Sequence, residues 1–418
     1  MRKVGERVAQ NYFYGTITVD QHHTDEEKKA ILERFPAPMY AVDSSAFHIE
    51  NVEHGNHVNG IVVLLNDYKV EKAANGNPYL KLRFENSMGS FAAKLWDNDG
   101  AVEYALPLLE ENSVFEISGK VEEFRGFKSI TLSRIKPCTS QDPLNPFDLL
   151  SATQADTEAL VVELYSYVNG LEEPYKTIAF KGMERFWREF SIRPAAKGFH
   201  HNYLSGLLKH TVGLMRIAHY LLVQQDNHYK GALRLIQVVE KAHKEELWSN
   251  LSLEKPMDVR KLTWTDTIDH LYSIFYSMLE FSTRQPDYSM IICSIFYHDI
   301  GKLLEYDHAG KGLEEFEFLF PTADRSVLEQ RKPTGITMDS LGGLIGHIPL
   351  GILLFNKILE KEEIQMPLEE QVAVLHNISS HHGKIEWGSS TKPQTIEAWL
   401  VHFCDFLDSR YEKSEQIK

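Results

Sequence analysis

IFYHDIGKLL, Ile295 to Leu304, sets His298 and Asp299 side by side in an apolar run and follows them with Gly301 and Lys302. A bare carboxylate is prohibitively costly to bury, so Asp299 needs a partner. Adjacent side chains on a helix diverge by about 100°. A neutral histidine nitrogen at 298 can therefore serve one metal while the carboxylate at 299 reaches between two. A lone HD pair is common by chance, and its meaning depends on what the rest of the chain offers it.

Four further stretches make the same offer. In NYLSGLLKHTVGLMRIAHYLLVQQ, 202–225, a helical stripe of Leu204, Leu207, Leu208, Val212, Met215 and Leu222 runs beside His210 and aims its ring at a bundle interior. GGLIGHIPLGILLF, 342–355, carries His347 in an apolar helix. LHNISSHHGKIEWGS, 375–389, holds the pair His381-His382 ahead of Gly383, and in LVHFCDFLDSR, 400–410, Asp405 breaks an apolar helix. Taken singly, each reads as a core histidine, a helix-terminal pair or a salt-bridged acid. Collected in one helical half, they give His210, His298, Asp299, His347, His381 or His382, and Asp405. That mixed imidazole and carboxylate set suits two divalent first-row metals with water in the open positions.

The chain ahead of this half has a different texture. From His57 onward, short alternating segments are separated by turn residues. GIVVLLNDYKV, PYLKLRF, SFAAKLWD, SVFEISGKVEEF and FKSITLSRIKP read as five strands, as a small OB-type barrel requires. Two of these strands carry Tyr79, Lys81, Arg83, Lys94 and Trp96 on the outward face. Cations for phosphates and flat rings for bases are what a single strand of nucleic acid needs, although outward faces of antiparallel strands are polar in any case.

The resulting organisation is an all-β OB-type barrel followed by an all-α bundle. Residues 1–55 form an extension containing a short helix at DEEKKAILERF, residues 56–140 the barrel, 141–155 a linker with two prolines, and 156–418 the helical domain. Composition sets outer limits. Hydrophobic residues make up 43% and charged residues 25%, the balance of a globular protein with real cores. No apolar run approaches the roughly 20 residues that cross a bilayer. The N-terminus lacks the apolar stretch of a signal peptide, and three cysteines without paired spacing indicate no disulfide frame, so a cytoplasmic protein is expected. A net charge of −15 argues against coating nucleic acid by bulk electrostatics, but not against a local basic groove.

The order H…HD…H…HH…D resembles the HD-domain metal-dependent phosphohydrolases. With the barrel ahead of it, the chain more narrowly resembles the YhaM family of 3′→5′ exoribonucleases. The phrases that carry this are GNPYLKLRFENSMGSFAAKLWD, HHNYLSGLLKHT, FYHDIGK, GLIGHI, SHHGKIEWGS and HFCDFLDS. The resemblance implies that His210, His298, Asp299 and Asp405 hold one metal and that His347 with the His381-His382 pair holds a second. It implies that Asp299 is the bridge, that Lys302 faces the scissile phosphate, and that His200 and His201 touch substrate phosphate. The implied reaction is hydrolysis of single-stranded RNA, with DNA a second substrate, to nucleoside monophosphates by a metal-bridging hydroxide. Manganese suits the ligands best, with iron, cobalt, zinc and magnesium as other fits. A phosphohydrolase of free or cyclic nucleotides and a catalytically silent OB-fold binding protein are the competing readings.

The chain departs from the family in length. His210 and His298 lie 88 residues apart, through a charged helical insertion at about 226–287, and a smaller extension separates Lys302 from His347. These segments are candidates for capping the site or for a homo-oligomer contact.

Overall fold

The computed structural model describes residues 15–40, 47–124, 126–138, 145–197, 201–249, 267–309 and 312–412. After a first helix, α1 (Asp25–Arg34), closed at its start by a capping box between Thr24 and Glu27, the chain forms strand β1 (His57–Lys72). Strands β2 (Pro78–Asn86) and β3 (Gly89–Trp96), helix α2 (Ala101–Glu111), and strands β4 (Val114–Phe124) and β5 (Phe127–Pro137) follow.

The strands close in the order β1-β2-β3-β5-β4, consistent with an OB-type barrel. β1 makes closure possible. Its first half pairs with β4 and its second half with β2, and irregularities between Val58 and Ile61 and between Leu65 and Asp67 bend it around the core. A parallel contact of β3 with β5, Ala92 opposite Ser129, shuts the barrel. Leu80, Leu82, Phe84, Ala93, Leu95, Phe115 and Ile117 fill the inside, as the period-2 alternation demands. The sequence hides α2, because Pro107 and a short apolar run mask its period.

Beyond residue 145 the chain is almost entirely helical. The helices are α3 (Thr157–Asn169), α4 (Tyr175–Phe190), α5 (Gly206–Leu222), α6 (His228–Ser249), α7 (Ile268–Leu279) and α8 (Tyr288–His298). Next come the short α9 (Lys302–Glu305), α10 (Leu313–Leu319), α11 (Ser326–Glu329) and α12 (Gly342–Ile345), then α13 (His347–Lys361), α14 (Leu368–Ser380) and α15 (Ile396–Tyr411). Two-residue strands β6 (Tyr306–Asp307) and β7 (Thr337–Met338) pair in the second extension.

α8 organises this half. It is buried from Ser289 to His298 and touches α3, α4, α5, α13, α14 and α15. A helix enclosed on all sides has no solvent face to pattern, which explains its apolar sequence. Its C-terminal residue, His298, is thereby delivered to the centre of the bundle.

The smaller extension forms the seat of the barrel. The buried Glu85 carboxylate accepts from Asn66 Nδ2 at 3.0 Å, Ser151 Oγ at 3.3 Å and the Ile336 amide at 3.4 Å. Gly335 donates its amide to the Leu65 carbonyl at 3.3 Å, and Leu64, Leu150, Leu204 and Ile336 form a small apolar cluster beside them. The larger insertion contributes α7, which packs against α15. Among the described residues, no helix is long and apolar enough to cross a membrane.

Candidate metal centre

Elements from across the bundle bring the polar interruptions together. α5 carries His210 at mid-length, while α8 ends in His298 and leaves Asp299 as its C-terminal cap. His347 is the first residue of α13 rather than an interior one, and His381-His382 follow the last turn of α14. Asp405 projects from α15. Gly301 has an ordinary helical backbone, and its role is one of space: a Cβ there would run into the His347 carbonyl and the Gly351 amide. The turn after Asp299 therefore lies directly against the start of α13.

The two oxygens of Asp299 face different histidines. Oδ2 lies 3.2 Å from His298 Nε2 and 3.4 Å from His210 Nε2, and the latter is also 3.3 Å from Asp405 Oδ1. Oδ1 lies 3.6 Å from both His347 Nε2 and His381 Nε2. Ligand atoms of His210, His298 and Asp299 form one group within 4.8 Å of one another, and those of His347, His381 and His382 form a second.

Each histidine ties its Nδ1 to an acceptor. His298 donates to the Ile295 carbonyl at 2.6 Å, His381 to the Ile378 carbonyl at 2.8 Å and His382 to the Trp387 carbonyl at 2.8 Å. His210 donates to Asp408 Oδ2 at 2.7 Å and His347 to Glu305 Oε2 at 2.8 Å. These partners orient the rings through Nδ1 and leave each Nε2 as the atom a metal would take, the arrangement that metal-binding imidazoles require.

The electrostatics favour cations. Burial opposes ionisation of Asp299, but His298 and Lys302 outweigh it and hold the acid well below the usual carboxylate range. Asp405 and Asp408 are likewise held low, against burial, by His210 and by His201 with His210 respectively. Burial and the neighbouring His382 and His298 push His381 well below the usual imidazole range, and burial with His347 lowers His382 to about 4. Burial opposes a charge on His210 too, but Asp299, Asp405 and Asp408 outweigh it and raise that ring well above the usual imidazole range, so ionised acids stand beside a cationic His210 and neutral His381 and His382.

These residues fit a pair of divalent cations. Asp299 Oδ1, His347 Nε2 and His381 Nε2 are buried with no hydrogen-bond partner, and the orphaned atoms converge. His210 Nε2 and His298 Nε2 face each other at 3.3 Å, so this position holds positive charge, either the proton that the neighbouring acids favour on His210 or a metal in its place. Buried polar atoms left unmatched cost about 1–3 kcal/mol each, which a metal would remove.

A cavity of about 800 Å³ opens over the centre. Lys302, His382, His402 and Asp405 lie on its wall, and it extends to the β2–β3 turn of the barrel from Asn86 to Phe91. Lys302 Nζ donates to Asp299 Oδ2 at 2.5 Å. His201 also lines the cavity, but its ring is engaged by Asp408 Oδ2 at 2.8 Å and the Tyr203 hydroxyl at 2.7 Å. His200 lies outside the described residues. Tyr79, Lys81, Arg83, Lys94 and Trp96 share one outer face of β2 and β3, with the Tyr79 and Trp96 rings 4.9 Å apart, but none of them lines the cavity.

Glu305 and His402 are silent in the sequence. Asp408 carried a faint signal as the second acid three residues after Asp405, on the same face of α15. Glu305, in KLLEYD, looks like any helix-end acid.

No family model matches the chain. Among curated proteins, it is 24% identical to the 3′-5′ exoribonuclease YhaM of Bacillus subtilis strain 168, over 81% of this chain and 80% of that protein. It is 23% identical to the Listeria welshimeri 3′-5′ exoribonuclease YhaM over 82% and 83% of the two chains, and 24% identical to that of Bacillus pumilus over 81% and 80%.

Proposed function

The chain belongs to the YhaM family, and on that footing we propose that it is a metal-dependent 3′→5′ exoribonuclease of the HD type. The observation that carries this reading is the divided coordination sphere of Asp299. One oxygen faces His210 and His298, the other His347 and His381, and the second oxygen has no hydrogen-bond partner.

His210, His298, Asp299 and Asp405 would hold one divalent cation, and His347, His381 and His382 the other, with manganese the best match to the donors. When bound, such a pair supplies Lewis acidity that activates water for in-line attack and offsets charge on the phosphoryl oxygens.

The chain's own groups do the rest. Asp408 and Glu305 orient the imidazoles that they accept from. Lys302, held on Asp299 at the cavity wall, puts a fixed positive charge beside the reacting phosphate; losing one such group typically costs a few kcal/mol. The cavity admits a 3′ end, and its reach to the barrel supports a polymer over a free nucleotide as substrate. The strand upstream would lie along the barrel, with Tyr79 and Trp96 as stacking surfaces. Products are nucleoside monophosphates.

Asp299→Ala tests this on a 5′-labelled single-stranded RNA. Wild-type protein with Mn2+ should shorten the strand one nucleotide at a time, and the variant should lose on the order of 10³-fold in rate while staying folded. Undiminished degradation by the variant overturns the reading. So does a wild-type preference for free or cyclic nucleotides over the strand.

A further inference from the structure

Two buried histidines outside the proposed ligand set link the inserted segment to the centre. His270 lies on α7, within the 226–287 insertion, and His402 on α15. His402 donates its Nδ1–H to the carbonyl of His381 at 2.7 Å, so in the neutral ring its Nε2 is an acceptor. The group facing its Nε2, at 2.9 Å, is His270 Nε2, which must carry the hydrogen.

The same histidine reaches the second ligand of the pair. The His270 ring meets Trp387 edge-on with centroids 4.7 Å apart, and the Trp387 carbonyl accepts the Nδ1–H of His382. Trp387 is stacked on Phe406 at 9°, and Phe406 also packs against His270, at 4.8 Å. There is no slack in the link. The His402 ring lies so close to Gly383 that a Cβ at that position would strike it, and Gly383 has a φ of +78° that favours glycine independently. Turning His402 over would therefore shift the loop that carries His381 and His382.

We infer that His270 is a positioning residue through which the inserted helix fixes the His381-His382 pair on the Oδ1 side of Asp299. It holds His402 in the tautomer that grips the His381 carbonyl, and it braces the tryptophan whose carbonyl orients His382. The inference rests on the two-cation reading proposed above. The insertion is then part of the frame of the centre rather than a surface addition.

The test compares His270→Met, which fills similar space without a donor, with His270→Gln, which keeps an N–H, in full-length protein titrated with Mn2+ alone. Loss of a hydrogen bond behind a metal ligand typically weakens binding about 10–100-fold. His270→Met should weaken the second equivalent of Mn2+ by that factor and leave the first unchanged, while His270→Gln stays within about threefold of wild type, inside the span of an ordinary hydrogen bond. In a His402→Asn background the His270→Met change should add nothing, and Tyr276→Ser, on the exposed side of α7, should match wild type. Two equivalents bound by His270→Met with wild-type affinity overturn the inference alone, as do equal losses in the Met and Gln variants. Wild-type protein that binds fewer than two equivalents overturns the two-cation reading itself.

Discussion

Asp299 Oδ1 and His381 Nε2 lie 3.6 Å apart at the centre of the helical bundle, both buried and neither hydrogen-bonded. Apolar packing would not leave such a pair unmatched, since satisfying both takes only a water or a cation. The other Asp299 oxygen meets a different set of side chains, so one carboxylate serves two places.

Glu305 should matter through His347. It accepts His347 Nδ1–H at 2.8 Å, and removing it frees the ring to turn its Nε2 away. Glu305→Ala is expected to weaken Mn2+ binding by about 10–100-fold. Titration of the metal with the folded variant checks this, and an unchanged affinity would show that packing alone orients His347.

Gly301→Ala should act by displacement. The added methyl meets the His347 carbonyl and the Gly351 amide, which are backbone atoms with little room to retreat. Overpacking of this kind costs about 1–3 kcal/mol, and here the strain falls on the residue that starts α13. Both a lower unfolding midpoint and weaker metal binding are expected. A variant as stable and as metal-loaded as wild type would mean that the turn yields freely.

Much of this was legible in the sequence, for a physical reason. Imidazoles and carboxylates are costly inside apolar helices, so His210, Asp299 and Asp405 announce a shared purpose, and the structure brings their side chains together. Barrel strands were legible from alternation, because each has one buried and one wet face. Glu305 and Asp408 were not: an acid that only accepts a hydrogen bond from a ligand has the same local sequence as a surface acid. His402 and His270 were hidden by distance along the chain, 132 residues, which no local pattern spans. The cavity's meeting with the barrel at Asn86–Phe91 was hidden as well, because it depends on how the two halves dock through Glu85 and the 335–336 backbone.

Trp96 separates grip on the strand from chemistry. Its ring packs against that of Tyr79 at a tilt of 35° on the outer barrel face, away from the cavity. Base stacking on an aromatic ring is worth about 1–3 kcal/mol. Trp96→Ala should therefore raise KM for a long single strand by roughly 5–150-fold and leave kcat and the hydrolysis of a dinucleotide unaltered. Equal KM values for wild type and variant on the long strand would remove this face from the path.

Glu315 predicts a pH dependence unconnected with the centre. Burial, aided by Glu189 and opposed by Arg193, raises its pKa to about 7, and its Oε2 has no hydrogen-bond partner. Below the unfolded-state value, 4.5 for a free glutamate, both states hold the proton and Glu315 is neutral to folding. As pH climbs from there toward 7 the unfolded chain releases the proton first, so stability falls, by about 3 kcal/mol once pH exceeds 7. Glu315→Gln should remove that loss, leaving stability near pH 4.5 unchanged and raising it at pH 8. Parallel denaturant midpoints at the two pH values check this; an equal change at both would assign the effect to packing.

The central claim is that Asp299 sits between two cations. Crystals of the protein grown with Mn2+ and measured at the manganese absorption edge address it most directly. Two anomalous peaks per chain are expected, one on the His210–His298 side of the Asp299 carboxylate and one on the His347–His381 side. A single peak, or none, in crystals grown at saturating Mn2+ would contradict it.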